Sequence, residues 1–125
     1  MKVIHITGSA KTPTLSFDPS QGTLQIKGRC IPEDPIEFFR PLNEALSEYL
    51  QSGPSRIVVT IDLEYFNTSS SKCLLDIFRK LEPVHQAGKS EVTVLWNYEE
   101  DDEDMMEAGE DYKTIVKLLF EITKI

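Results

Sequence analysis

Three observations predict an α/β domain built on a mixed β-sheet with about three helices mainly on one face. Apolar and polar residues alternate in Thr14–Asp18 and again in Thr23–Gly28, around a Pro19-Ser20-Gln21-Gly22 turn; this is the pattern of a hairpin that is buried on one side and wet on the other. The run Ile57-Val58-Val59-Thr60-Ile61 is apolar on both sides of a strand, which suits a central position in a sheet. Three segments with apolar residues at helical spacing fall between the later strand candidates, so strands and helices alternate. Three helices are too few to cover both sides of a wide sheet, which is why they are expected mainly on one face.

The 125 residues suffice for one domain, residues 1–125, with a core of its own. With 40% hydrophobic and 27% charged residues, the chain has the composition of a globular protein rather than a disordered one. Lys and Arg number 13 against 21 Asp and Glu, and the net charge of -8 argues against nucleic acid or an anionic membrane surface as the partner, since both need a positive footprint. No apolar run approaches membrane-spanning length, and MKVIHITGSAKTP has no long apolar region of the signal-peptide type, so a cytoplasmic location is expected. Cys30 and Cys73 do not make a disulfide framework and are expected to be reduced thiols.

The elements follow in order. Lys2–Thr7 carries Val3, Ile4 and Ile6 and reads as a short edge strand, and Gly8–Pro13 as a loop. In the hairpin, Leu15, Phe17, Leu24 and Ile26 are expected to face the core. Asp34 followed by Pro35 is an N-cap and first-turn pair. The helix that it opens runs to about Gln51, where Ser52-Gly53-Pro54 stops it, with Ile36, Phe39, Leu42, Leu46, Tyr49 and Leu50 as its apolar stripe. The strand at Ile57 is expected to end at Asp62, and Leu63–Phe66 leads to a cluster of four hydroxyls, Thr68, Ser69, Ser70 and Ser71. The next helix packs Leu74, Leu75, Ile77, Phe78 and Leu81 inward, sets Cys73 beside that face, and stops at Gln86-Ala87-Gly88. Lys72, Asp76 and Lys80, four residues apart, are expected to form a solvated stripe of mutually favourable charges.

Glu91–Trp96 is a further strand with Val92, Val94 and Trp96 on one face. The acidic run Glu99–Asp104 reads as a solvated loop and a negative first turn for the next helix, where the helix dipole favours it. It lacks the alternating ligand spacing and turn glycine of a calcium loop, so no metal and no cofactor are expected. The third helix covers about Asp102–Val116, with Met105, Met106, Tyr112, Ile115 and Val116 apolar and with Gly109 expected to weaken it. Leu119–Ile125 alternates as a last strand. The order is β-β-β-α-β-α-β-α-β.

Functional interest concentrates on Asn67–Ser71, where a strand delivers four consecutive hydroxyls to a helix start. Asn, Ser and Thr are preferred N-caps because their side-chain oxygens accept unpaired backbone N–H bonds. Capping uses one or two such residues, not five. A phosphate placed here would meet free N–H groups and the positive end of the helix dipole, while the surface gains about two negative charges. The site is therefore suited to a switch of binding rather than of folding. A hydrolase using the Thr68–Ser71 hydroxyls is the competing class, and a constitutive scaffold without any switch is a third. A nucleophilic hydroxyl needs an adjacent base, and the histidines are His5 and His85. His85 lies at the far end of the same helix, about 25 Å from Thr68 at the helical rise. No G-x-S-x-G elbow and no P-loop is present. A non-catalytic protein is expected.

A strand of the type IVVTIDL, a short loop and a hydroxyl motif at a helix start resemble the STAS domain, the anti-sigma-factor-antagonist fold. More narrowly, Tyr65-Phe66-Asn67-Thr68-Ser69-Ser70-Ser71-Lys72, followed by Asp76, Leu81 and Gly88, resembles the SiaC family of bacterial regulatory phosphoproteins. Thr12-Pro13, Gly28, Pro32-Glu33 and Trp96-Asn97-Tyr98 fit the same pattern. The resemblance implies that Thr68 is phosphorylated by a cognate Ser/Thr protein kinase, with Ser69, Ser70 and Ser71 as alternative acceptors, and is reset by a PP2C-type phosphatase. It further implies that the unphosphorylated form binds and activates a diguanylate cyclase, in cyclic-di-GMP signalling and the control of biofilm formation and aggregation. Tyr65, Phe66, Asn67, Ser69, Ser70 and Lys72 are the expected partner-binding residues around the site.

Overall fold

The computed structural model describes residues 2–125. Nine elements follow in chain order: β1 (Ile4–Ile6), β2 (Thr14–Asp18), β3 (Thr23–Cys30), α1 (Pro35–Gln51), β4 (Arg56–Phe66), α2 (Thr68–Gln86), β5 (Glu91–Tyr98), α3 (Glu103–Ile115) and β6 (Leu119–Lys124). The strands form one mixed six-stranded sheet whose spatial order repeats the chain order, β1-β2-β3-β4-β5-β6. β1, β2 and β3 pair antiparallel, joined by the loop through Gly8–Pro13 and by the Pro19–Gly22 turn. From β3 onward the pairing is parallel, with α1, α2 and α3 as the crossovers. Parallel crossovers are right-handed almost without exception. Because each one here steps the sheet in the same direction, all three helices land on the same face.

The core is the seam between that face and the helices. Phe17 pairs with Leu24, Leu24 with Val59, Val59 with Val94 and Val94 with Phe120, and all five are buried. Phe39, Leu42 and Leu46 of α1 and Leu74, Ile77, Phe78 and Leu81 of α2 close over them. The opposite face of the sheet carries no helix. In β4, Ile57, Val59, Ile61 and Leu63 are buried, while Val58, Thr60 and Asp62 on the other face are half-buried. The central strand is thus apolar on both sides in sequence but covered on one only.

Four expectations are corrected. β4 does not end at Asp62. It continues to Phe66, because β3 runs on to Cys30 beside it and supplies pairs for Tyr65 and Phe66; a register shift between Gly28 and Arg29 leaves Glu64 as the extra, unpaired residue. Ile36, placed in the apolar stripe of α1, is 68% exposed in the first turn of that helix, at the rim of a shallow groove that it shares with Lys80 of α2. Ile115, placed on the inner side of α3, is 46% exposed where the helix ends. The charges of Lys72, Asp76 and Lys80 do not pair among the described residues; the Lys80 ammonium instead reaches across to α1 and donates to the Asn43 carbonyl (3.2 Å) and Ser47 Oγ (2.7 Å). The acidic run behaves as anticipated: Asp102 caps α3 by accepting from the Met105 N–H at 3.0 Å, with Glu103 and Asp104 in the first turn. No helix among the described residues is long and apolar enough to cross a membrane.

Candidate functional site

The C-terminal ends of the parallel strands β3 and β4 bring Cys30 and Phe66 side by side. The Asn67 N–H donates to the Cys30 carbonyl at 3.3 Å, which fixes the chain where it leaves the sheet. The Asn67 side chain then caps α2, its Oδ1 accepting from the Ser70 N–H at 2.9 Å, and its carbonyl accepts from the Ser71 N–H. Among the described residues, two backbone N–H groups at the helix start, those of Thr68 and Ser69, have no protein partner, as helix geometry requires.

The four hydroxyls separate sharply. Thr68 and Ser69 are exposed, and no hydrogen bond engages the Thr68 side chain among the described residues. Ser71 is half-buried and its Oγ donates to the Thr68 carbonyl at 2.6 Å. Ser70 is fully buried, its Oγ makes no hydrogen bond of normal geometry, and it sits against the Cys30 thiol. Burial pushes that thiol up to about 11, with the Ser70 hydroxyl pulling the other way. Burial likewise raises Cys73, which lies on α2 just below. Both cysteines are free.

Beside Thr68 lies a groove of about 570 Å³ between the start of α2 and the second half of α3. Its floor is Phe66, Leu75 and Tyr112; Thr68, Ser69 and Lys72 form one rim, and Ala108 and Asp111 the other. An aromatic cluster holds this floor. Phe66 meets Trp96 edge-to-face with centroids 6.0 Å apart, and Tyr112 lies 5.3 Å from Trp96 and 5.3 Å from Phe78. Trp96 is fully buried and its indole N–H donates to the Met105 carbonyl at 2.9 Å. The Tyr112 hydroxyl donates to the Ser71 carbonyl at 2.8 Å and so ties α3 to the first turn of α2. Burial raises the Tyr112 pKa well above the ordinary phenol value, so the hydroxyl remains a donor.

The residues expected around the site all lie at the end of β4 and the start of α2, and the structure separates them by exposure. Tyr65 is half-exposed at the end of β4, with the Arg29 guanidinium 5.7 Å from the centre of its ring. Lys72 is exposed, while Phe66, Asn67 and Ser70 are partly or wholly turned into the structure. Ala108, Asp111, Tyr112 and Ile115 were not singled out as site residues. They come from a helix forty residues further on, and the one available signal was the spacing of Ala108, Asp111, Tyr112 and Ile115 along one side of α3. His85 stands in the last turn of α2, with its Nδ1 accepting from the Val92 N–H at 3.1 Å, and His5 on β1 is hydrogen-bonded to Ser16. Among the described residues no group of three or more His, Cys, Asp or Glu is placed to hold a metal.

The fold and the site together place the chain among one-sided α/β domains that present a capped helix start beside an apolar groove. The chain belongs to the SiaC family of regulatory phosphoproteins, whose family model matches residues 6–125. It is 32% identical over 113 residues to an uncharacterized protein of Pseudomonas aeruginosa (strain UCBPP-PA14), covering 90% of this chain and 89% of the relative. Its fold superposes on SiaC of Pseudomonas aeruginosa with a TM-score of 0.92 at 30% identity, over 100% of both chains. It also matches the crystal structure of the diguanylate cyclase SiaD in complex with its activator SiaC from Pseudomonas aeruginosa, with a TM-score of 0.92 at 30% identity over 98% of this chain and 99% of that one.

Proposed function

We propose that this protein is a non-catalytic, phosphorylation-controlled activator of a diguanylate cyclase. In this reading the unphosphorylated form binds the cyclase through the Thr68 rim and the adjoining groove. A cognate Ser/Thr protein kinase phosphorylates Thr68 and ends the interaction, and a PP2C-type phosphatase restores it. The observation that carries the reading is the position of Thr68: exposed, unengaged, first in α2, and on the rim of an apolar groove. The SiaC–SiaD complex supports the choice of partner, because SiaC is the cyclase's activator there and shares this fold over nearly the whole chain. Tyr65, Ser69 and Lys72 supply surface to the partner; Phe66, Asn67 and Ser70 support the turn from within.

The switch is electrostatic. A phosphate adds about two negative charges to a protein that already carries -8. A partner that desolvated this rim would bury an uncompensated dianion at a cost of several kcal/mol, and each 1.4 kcal/mol lowers affinity about tenfold. The monomer is spared that cost, because the free N–H groups of Thr68 and Ser69 and the helix dipole face the added charge. The test is the affinity of wild-type, Thr68→Ala and Thr68→Asp proteins for the cyclase, with and without kinase treatment. Thr68→Ala is expected to bind whatever the treatment, Thr68→Asp to bind at least about tenfold more weakly, and the wild type to lose binding once the kinase has acted. Equal affinities throughout refute the switch, and phosphate retained in full by Thr68→Ala moves the acceptor to Ser69 or Ser71.

A further inference from the structure

We infer that α3 is the element that reads the state of the Thr68 turn: Tyr112 latches it to the unmodified turn, and Asp111 drives it away from a phosphorylated one. The inference rests on the Thr68 switch and adds that phosphorylation remodels the groove rather than merely covering its rim.

The second half of α3 is connected to α2 by few polar contacts. The Tyr112 hydroxyl donates to the Ser71 carbonyl at 2.8 Å, and Ser71 Oγ in turn donates to the Thr68 carbonyl at 2.6 Å. A continuous path of hydrogen bonds and two peptide units thus runs from α3 to the backbone of Thr68. At the end of α3, the Arg79 guanidinium donates to the Ile115 carbonyl at 3.0 Å. Asp111, next to Tyr112, lines the same groove as Thr68 and Ser69, from the opposite rim. Lys72 is the one cation among the described residues that line it. α3 itself carries Glu103, Asp104, Glu107, Glu110 and Asp111 against the single cation Lys113. A phosphate dianion on Thr68 therefore confronts a carboxylate on a negatively charged helix. The phosphorylated rim is anchored by α2 and the sheet. α3 packs less extensively against the rest of the fold than α2 does, so it is the wall expected to move, and it carries Tyr112 with it.

Trp96, the only tryptophan of the chain, reports the event, because it lies under Tyr112 and against Gly109. The experiment uses full-length protein with phosphothreonine at position 68 installed during synthesis, so that no kinase is needed. The expected result is a Trp96 emission shift to longer wavelength and an amide exchange about fivefold faster across Glu107–Ile115, because local opening sets the exchange rate. Asp111→Asn with the same phosphothreonine is expected to lose most of both changes, although its unmodified form keeps the wild-type spectrum. Unmodified Tyr112→Phe, which retains the ring and loses the latch, is expected to show part of the shift without any phosphate. Emission and exchange unchanged by phosphothreonine overturn the inference, and so do changes of equal size in Asp111→Asn. Loss of cyclase binding with a silent α3 overturns the inference and leaves the switch standing. A displaced α3 with undiminished cyclase binding supports the inference and refutes the switch.

Discussion

Gly109 inverts its ordinary meaning. In the sequence it is a helix-weakening residue in the middle of α3. In the fold it is buried, and a Cβ built on it would stand 2.5 Å from Trp96 Cδ1 and 2.7 Å from Nε1. The helix can approach the sheet closely enough for the Trp96–Met105 hydrogen bond because nothing projects there. Gly109→Ala gains about 1 kcal/mol of helix propensity and loses about 1–3 kcal/mol to overpacking. Urea unfolding is expected to show net destabilisation in the wild-type background and none with Trp96→Leu. A second residue of this kind is Glu82, near the end of α2. Burial by itself raises its pKa, but the Lys117 N–H at 2.7 Å and the Arg79 guanidinium at 3.0 Å more than offset this and hold the carboxyl below the usual range. A depressed folded pKa contributes stability above the unfolded value, and that contribution is lost as pH falls through the folded value. Glu82→Gln is therefore expected to cost about 1–2 kcal/mol at pH 7, with the gap from wild type closing below the ordinary carboxylate range near pH 4.

At the scale of the element, α2 separates what holds the turn from what the turn offers. Asn67 holds it: its side chain satisfies the Ser70 N–H and its backbone N–H joins Cys30. Thr68 is exposed, and among the described residues its side chain has no hydrogen-bond partner. The two substitutions should diverge in thermal melting. Asn67→Ala is expected to cost about 1 kcal/mol. Thr68→Asp should be neutral or gain about 0.3–1 kcal/mol from the dipole, which means a melting temperature no lower than that of the wild type. A large drop for Thr68→Asp would show that the site acts through unfolding instead. The start of this helix was legible because capping is local chemistry: Asn67 and the residues it caps are neighbours in sequence. The end of β4 was not legible, because what extends it past Asp62 is the backbone of β3, more than thirty residues away.

At the scale of the molecule, the succession of strands across the sheet explains both the covered face and the open one. Each parallel crossover steps past the previous strand in the same direction, so α1, α2 and α3 share one side and the other side of β4 and β5 stays partly open. The same arrangement gathers the C-terminal ends of β3 and β4, the start of α2 and the flank of α3 at one corner, where open parallel sheets commonly place their sites.

The element order, the mixed sheet with its helices on one face, the cap at Asp34 and a polar helix start within Asn67–Ser71 could all be read from the sequence, while the choice of Asn67 as the cap came from the fold. Each feature read from the sequence depends on periodicity or on contacts between residues a few positions apart. Tertiary structure decided which hydroxyls face solvent, since Ser70 is buried only because Cys30 and the end of β3 lie beneath it. It decided that Gly109 is a contact surface for Trp96 rather than a weak point. It also decided that Ala108, Asp111 and Tyr112 complete the groove beside Thr68, because α3 is brought there by a crossover through β5 and no local pattern encodes that distance.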